Sequence, residues 1–250
     1  VADDVDGKKY LDSLQIAGVK HIGVSKEESD MPTGKCLIFV TPDAKRTMSS
    51  MLGISAFLGP KDIDYDAVQN SKIFYIEGYM VTSDENFNAV TSVLKNIDNE
   101  KTLKALSLSD AGIVHGFRDK FKEIESYGID MVFCNDDEAI AFAGTESLEE
   151  AIEFYKNQKY MIAITKGSEG SVVIKDGNEI FSPAIKIDPL DTNGAGDMFA
   201  GSFMYAYLNG NDIEACAEFS NYASSKVVQT FGPRLTPKGY EEVSNKLRKS

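Results

Sequence analysis

Basic residues are scarce in this chain. Against 39 aspartates and glutamates there are 26 lysines and arginines, a formal net charge of −13 over 250 residues. No basic stripe is available to neutralise a phosphate backbone, so a nucleic-acid polymer is excluded as the main partner. A small anion held by backbone amides is not excluded. Long apolar runs are missing as well. The longest nearly uninterrupted one, Met198 to Leu208, contains glycine and serine and is far too short to cross a bilayer, so no membrane partner is expected. No basic segment leads into an apolar one at the start, and no signal peptide is legible. Cys36, Cys134 and Cys216 are odd in number, widely spaced and form no CxxC pair. They read as free thiols in a reducing cytoplasm, not as a disulfide framework or a metal site. His21 and His115 stand alone, without a serine or cysteine nucleophile at motif spacing.

What is present is ordinary globular composition, 42% hydrophobic and 26% charged. That suffices for a sizeable core, as one large domain or two smaller ones, and is too apolar for disorder. The chain opens without an initiator methionine, and a helical pattern begins almost at once. Tyr10, Leu11, Leu14 and Ala17 recur at helical spacing, with Asp4 or Asp6 as N-cap and Gly18 as a stop. Such an amphipathic helix needs a sheet from elsewhere, and a missing N-terminal segment is expected, with a naturally short chain as the alternative that composition alone does not separate.

Residues 19–58 differ from the rest. Gly34 to Thr41 is rich in strand formers and stops at Pro42-Asp43, and Arg46-Thr47-Met48 returns as a second strand. A small β-rich patch is expected here. Beyond Pro60, strands and helices alternate. Strands are expected at 72–77, 105–108, 131–134 and 160–165. Helices are expected at 83–97, 119–127, 149–157, from Asp197 onward, and at 212–230. A hairpin is expected about Asp176-Gly177, a strong turn dipeptide. The alternation argues for an α/β fold with a mostly parallel sheet. There is no internal repeat and no low-complexity tract.

The chemistry concentrates in Asp191-Thr192-Asn193-Gly194-Ala195-Gly196-Asp197, which feeds directly into an apolar helix with Phe199, Phe203, Met204 and Tyr207 on one face. A glycine-rich turn at a helix N-terminus offers unpaired amides and the positive end of the helix dipole, a cradle for phosphate. Asp197 in the first turn is placed to accept a proton from a substrate hydroxyl, beside amides of Gly194, Ala195 and Gly196 that would meet developing charge. A plain helix-capping aspartate after a flexible loop is the competing account. A Walker A loop is absent, because Gly34-Lys35-Cys36 and Gly7-Lys8-Lys9 both fail at the last position. A dinucleotide fingerprint fails as well, since Phe199 stands at its third small position, which disfavours a dehydrogenase.

The segment Asp191 to Asp197 resembles the C-terminal signature of the ribokinase-like (PfkB-type) carbohydrate and nucleoside kinases. Asn135-Asp136-Asp137-Glu138 is similar to the family's NxxE motif, and Thr165 to Gly170 to its TxGxxG nucleotide loop. Pro32-Thr33-Gly34, Thr41 to Met48 and Tyr75-Ile76-Glu77-Gly78-Tyr79 look most like the adenosine-kinase-like branch. The resemblance spans essentially the whole chain. It implies a three-layer α/β fold with a mostly parallel central sheet, a kinase core at 1–18 and 59–250, and a small β-rich substrate lid at 19–58.

The resemblance also implies roles. Asp197 would be the general base, and Gly194, Ala195 and Gly196 the anion hole. Arg46 would swing in with the lid to meet the transferring phosphate, or else remain a solvated lid arginine. Asn135 and Glu138 would order Mg²⁺ and its waters, which suits a cation preferring few carboxylates; the same pair also reads as a helix N-cap and its capping-box partner. Thr165, Gly167 and Gly170 would approach the nucleotide. Asn221 and Ala223 would lie near the adenine, with core packing as their plainer reading. Asp191 and the Asn193 carbonyl would sit where some members bind a monovalent cation such as K⁺. The implied function is ATP-dependent phosphorylation of a primary hydroxyl on a sugar or nucleoside, an adenosine-like acceptor being favoured. The alternative is a nucleotide- or metabolite-binding regulatory protein of the same fold without catalysis. A homodimer through the edge of the lid sheet is left open. The family's opening strand, its acidic contact to sugar hydroxyls and its first Gly-Gly motif would all precede Val1.

Overall fold

The computed structural model describes residues 1–21, 30–41, 46–98 and 101–247. Helix α1 (Val5–Ile16) begins where Asp4 caps it, the carboxylate accepting from the Gly7 amide at 2.7 Å. Strands β1 (Lys35–Val40) and β2 (Arg46–Met51) pair antiparallel as a separate two-stranded sheet, with Phe39 opposite Thr47. The turn expected at Pro42-Asp43 lies outside the described residues. Then follow α2 (Tyr65–Gln69), β3 (Ile73–Glu77), α3 (Asp84–Asn96), β4 (Leu103–Ser107), α4 (Ala111–Gly116), α5 (Arg118–Ser126), β5 (Met131–Asn135), α6 (Asp136–Ala143), α7 (Leu148–Tyr155) and β6 (Met161–Thr165). The chain continues through β7 (Gly170–Lys175), β8 (Asn178–Pro183), α8 (Ala195–Leu208), α9 (Ile213–Val227) and α10 (Pro237–Leu247).

The large sheet runs β3-β4-β5-β6-β7-β8 in sequence order, parallel from β3 to β6 and antiparallel through the β7–β8 hairpin. Its turn has Asp176 at φ 51° and Gly177 at φ 76°, the two positive values that a primed two-residue turn demands. Side chains alternate across the sheet. Ile76, Leu106, Val132 and Ile162 face a core closed by α3 to α7. Ala105, Met131, Phe133 and Met161 face a second core closed by α8, α9 and α10. The result is helix, sheet, helix, as expected. No helix among the described residues is long and apolar enough to cross a membrane.

Several expectations are corrected. Tyr10 and Ala17 are exposed, Leu11 and Leu14 only half-buried, and Gly7 alone is buried in α1. That helix is held at its start instead: Asp4 accepts from Thr33 N and Oγ1 at 2.8 Å each, and Asp6 pairs with Lys35 at 2.6 Å. Helix α9 ends at Val227, before Thr230, because the Val228 carbonyl is taken by the Leu190 amide at 2.8 Å. Helix α8 begins at Ala195 with Gly194 as its cap, so Asp197 is third in the helix and does not cap it. Helices α2 and α4 were not legible, being too short to show a period, and α10 buries only Val243.

Candidate active site

Parallel strands pointing one way bring their last residues to one rim. Glu77 ends β3 opposite Ser107 at the end of β4, and Asn135 ends β5 opposite Thr165 at the end of β6. Open α/β sheets bind ligands at this carboxyl-end rim. Three of the sequence-stretch candidates therefore converge by topology alone: Asn135, Thr165 and the loop that Thr165 opens.

The glycine-rich turn completes the rim from the α8 side. Gly194 sits at φ 76° and is packed so tightly that a Cβ would stand 2.7 Å from Pro233. Its glycine is a packing requirement. Gly196 is different: it is exposed, and a Cβ there would meet nothing within 4 Å. The backbone there is open on its Cβ side. The Ala195 amide makes a long 3.3 Å contact to the Thr192 carbonyl. Asp191 is buried and ties the turn together, one carboxylate oxygen accepting from Asn193 N and the other from Gly232 N, both at 2.9 Å. Its side chain acts first as a loop tie. Asn193 is half-buried within that turn.

Asp197 is exposed and opens on a cavity of about 520 Å³ that Met198, Ser202, Tyr205, Pro233 and Arg234 also line. Its charge reaches Glu77 and Tyr75 on β3. Burial holds the Glu77 carboxyl above the usual carboxylate range; Asp197 adds to this, while hydrogen bonds from Ser109 and Tyr75 oppose it. Burial likewise pushes the Tyr75 hydroxyl up, the Glu77 charge adding to the effect. Strand alternation explains the meeting, since Tyr75 faces the α8 core and Glu77 follows it by two.

Asn135 and Glu138 form a reciprocal capping box. Asn135 Oδ1 accepts from Glu138 N at 2.8 Å, while Glu138 accepts from Asn135 N at 3.1 Å and from Asn135 Nδ2 at 2.8 Å. A carboxylate so engaged still has lone pairs to offer. No group of three or more His, Cys, Asp or Glu side chains that would cage a metal exists among the described residues.

In the loop that follows β6, Thr165 Oγ1 donates to the Cys134 carbonyl at 3.3 Å. Gly167 is exposed at φ 54° with open space where a Cβ would point, whereas Gly170 at φ 120° is pressed on the Ser182 carbonyl. The two late-helix candidates show the core packing that was their plainer reading. Ala223 is fully buried in the second core and has no surface to give a ligand. The Asn221 amide is spent tying α9 to the hairpin, donating to Ser171 Oγ at 3.1 Å and to the Ser182 carbonyl and Oγ at 3.0 Å each. Arg46 opens β2 opposite Val40; its side chain lies outside the described part of the structure.

Sequence reasoning passed over Glu77, Ser107 and Ser109 as site residues. The signal for Glu77 was a lone carboxylate closing the apolar run Ile73 to Ile76. Nothing local marks Ser107 or Ser109, which matter through a neighbouring strand.

Comparison with known proteins bears on the family and the fold. The profile described as pfkB family carbohydrate kinase matches residues 1–238. Adenosine kinase of Saccharomyces cerevisiae is 27% identical over 248 residues, covering 93% of this chain and 71% of the relative. A protein of Archaeoglobus fulgidus named as an uncharacterized sugar kinase is 24% identical over 241 residues, covering 94% of this chain and 91% of the relative. The crystal structure of adenosine kinase from Sinorhizobium meliloti superposes with a TM-score of 0.93 at 31% identity, over 98% of this chain and 76% of that one.

Proposed function

The chain belongs to the pfkB family of carbohydrate kinases, with a ribokinase-like fold, and from that membership we propose that it transfers the γ-phosphate of ATP to a primary hydroxyl of a sugar or nucleoside, an adenosine-like acceptor being favoured. The observation that carries this reading is the exposed Asp197 in the first turn of α8, directly after the exposed Gly196. Asp197 takes the proton of the acceptor hydroxyl as that oxygen attacks phosphorus. The helix-start amides of Gly194, Ala195 and Gly196 meet the charge that gathers on the transferring group. Glu77, on the same side of the sheet, accepts from a further hydroxyl of the acceptor.

Thr165, Gly167 and Gly170 border the nucleotide. Asn135 and Glu138 would hold waters of Mg²⁺, which when bound neutralises phosphate charge. We read residues 19–58 as the lid and 1–18 with 59–250 as the core. Lid closure excludes water, aligns the hydroxyl with the phosphate and brings Arg46 toward it. Leu37 and Phe39 leave β1 largely exposed, and a lone two-stranded sheet is marginal by itself, which supports pairing of two lids in a homodimer.

The test is ADP formation from Mg-ATP against adenosine, other nucleosides, ribose and fructose, with Asp197→Asn alongside. One acceptor should raise ADP release well above background, and the variant should lower turnover by about a hundred- to ten-thousandfold while still binding ATP. Silence across the panel with ATP still bound would turn the reading into that of a binding protein.

A further inference from the structure

The chain leaves β4 through a strained turn. Ser109 has φ 67°, and the Asp110 amide bonds back to the Leu108 carbonyl at 2.8 Å. That is a three-residue turn with its central residue at positive φ, the rarer and strained sense of this turn. Glycine adopts such a backbone freely, whereas serine does so at a cost, and such cost is tolerated where the side chain is needed.

Here the side chain joins two strand ends. Ser109 Oγ accepts from the Gly78 amide at 2.9 Å, donates to Glu77 Oε2 at 3.3 Å, and lies 3.4 Å from Ser107 Oγ. The strand ends touch at this point. A Cβ on Gly78 would stand 2.6 Å from the Leu108 carbonyl oxygen and 2.7 Å from that of Ser107. Glu77 and Ser107 both follow, by two residues, side chains that face the α8 core. The hydroxyl therefore holds a carboxylate on the side of the sheet where Asp197 stands.

We propose that Ser109 is a positioning residue of the transfer site, its strained turn aiming the hydroxyl that fixes Glu77 beside Asp197. The proposal rests on the reading of Asp197 as the base. It separates two things a serine does at this place. Its backbone costs stability, and its hydroxyl orients Glu77 for the acceptor. Ser109→Gly relieves the backbone but takes the acceptor from the Gly78 amide, so the two effects on stability oppose each other while activity falls.

The experiment compares wild type, Ser109→Gly, Glu77→Gln and the double variant, with adenosine as acceptor, or with the compound that the acceptor panel selects. Ser109→Gly should stay folded at the assay temperature and lose about tenfold in kcat/KM for the acceptor with KM for ATP unchanged. In the Glu77→Gln background the same change should alter kcat/KM by less than about twofold, because the carboxylate charge that the hydroxyl orients is gone although a hydrogen-bond acceptor remains. Ser109→Asn, which also tolerates positive φ, repeats the test with the backbone held. Wild-type kcat/KM in both Ser109 variants, or an undiminished loss in the Glu77→Gln background, would overturn the proposal. Asp197→Asn run in parallel keeps the two ideas apart. Turnover retained there removes the base, whereas turnover lost there with Ser109→Gly fully active removes only the role of Ser109.

Discussion

Two glycines a residue apart show how differently one residue type is used. Gly194 combines φ 76° with a Cβ position 2.7 Å from Pro233, so Gly194→Ala should cost about 1–3 kcal/mol or more in denaturant unfolding. Gly196 has open space, and Gly196→Ala should leave stability unchanged or raise it by up to about 1 kcal/mol. If phosphate approaches that amide, turnover in the second variant should nonetheless fall, because the added methyl occupies the approach. Glu77 carries a similar tension. Its carboxyl holds its proton above the ordinary range in the folded protein, through burial first and the Asp197 charge second. Folding therefore favours the protonated form. The resulting penalty is absent below the unfolded value, grows as pH rises through it, and is complete above the folded one. Glu77→Gln should match wild type in Tm near pH 4 and exceed it near pH 8, while turnover drops.

Among the elements, α6 carries the clearest double use. Its N-cap Asn135 and third-position Glu138 satisfy each other's amides, so the cap needs no ligand to exist. Asn135→Ala should cost about 0.5–2 kcal/mol, measured by denaturant unfolding. Glu138→Gln keeps an acceptor for the Asn135 amide and should cost less than about 1 kcal/mol, the value of a charge at a helix start. A large loss of Mg²⁺-dependent turnover in that stable variant would assign Glu138 to the cation's waters. Unchanged turnover would leave it as a cap alone. Helix α9 makes the opposite case. Asn221 spends its amide on Ser171 and Ser182, and the helix is bound to the hairpin by that tie.

Over the whole molecule, the two sheets are built on different terms. The six-stranded sheet is covered on both faces. The two-stranded sheet leaves Leu37, Phe39, Met48 and Met51 exposed. It is fixed to the body at its base, where Gly34 and Gly53 admit no side chain and Asp4 grips Thr33. Those hydrogen bonds hold the Asp4 carboxyl down at about 2. If lids pair, Phe39→Lys should shift the sedimenting species from dimer to monomer, since a charge on an exposed strand opposes pairing. Wild type sedimenting as a monomer at every concentration would remove the dimer.

Much of this was legible in the linear sequence because it is local. Strand runs such as Met131 to Cys134, the Asp176-Gly177 turn and the glycine-rich turn before α8 depend on neighbours a few residues away, and period and turn chemistry reveal them. The capping box at Asn135 was visible for the same reason. Helix α1 and its Asp4 cap were legible too, whereas the burial of its apolar face depends on what lies across it. For Ala223 and Asn221 the resemblance offered a place near a nucleotide and the residue types offered core packing; the structure shows the packing, against the sheet and the hairpin. Glu77, Ser107 and Ser109 were invisible as a group. They meet because β3 and β4 run parallel and end together, and a hydrogen bond spanning some 30 residues of chain has no signature in either segment. Local chemistry was thus set by the order of residues, whereas the company each side chain keeps at the rim was decided by strand pairing.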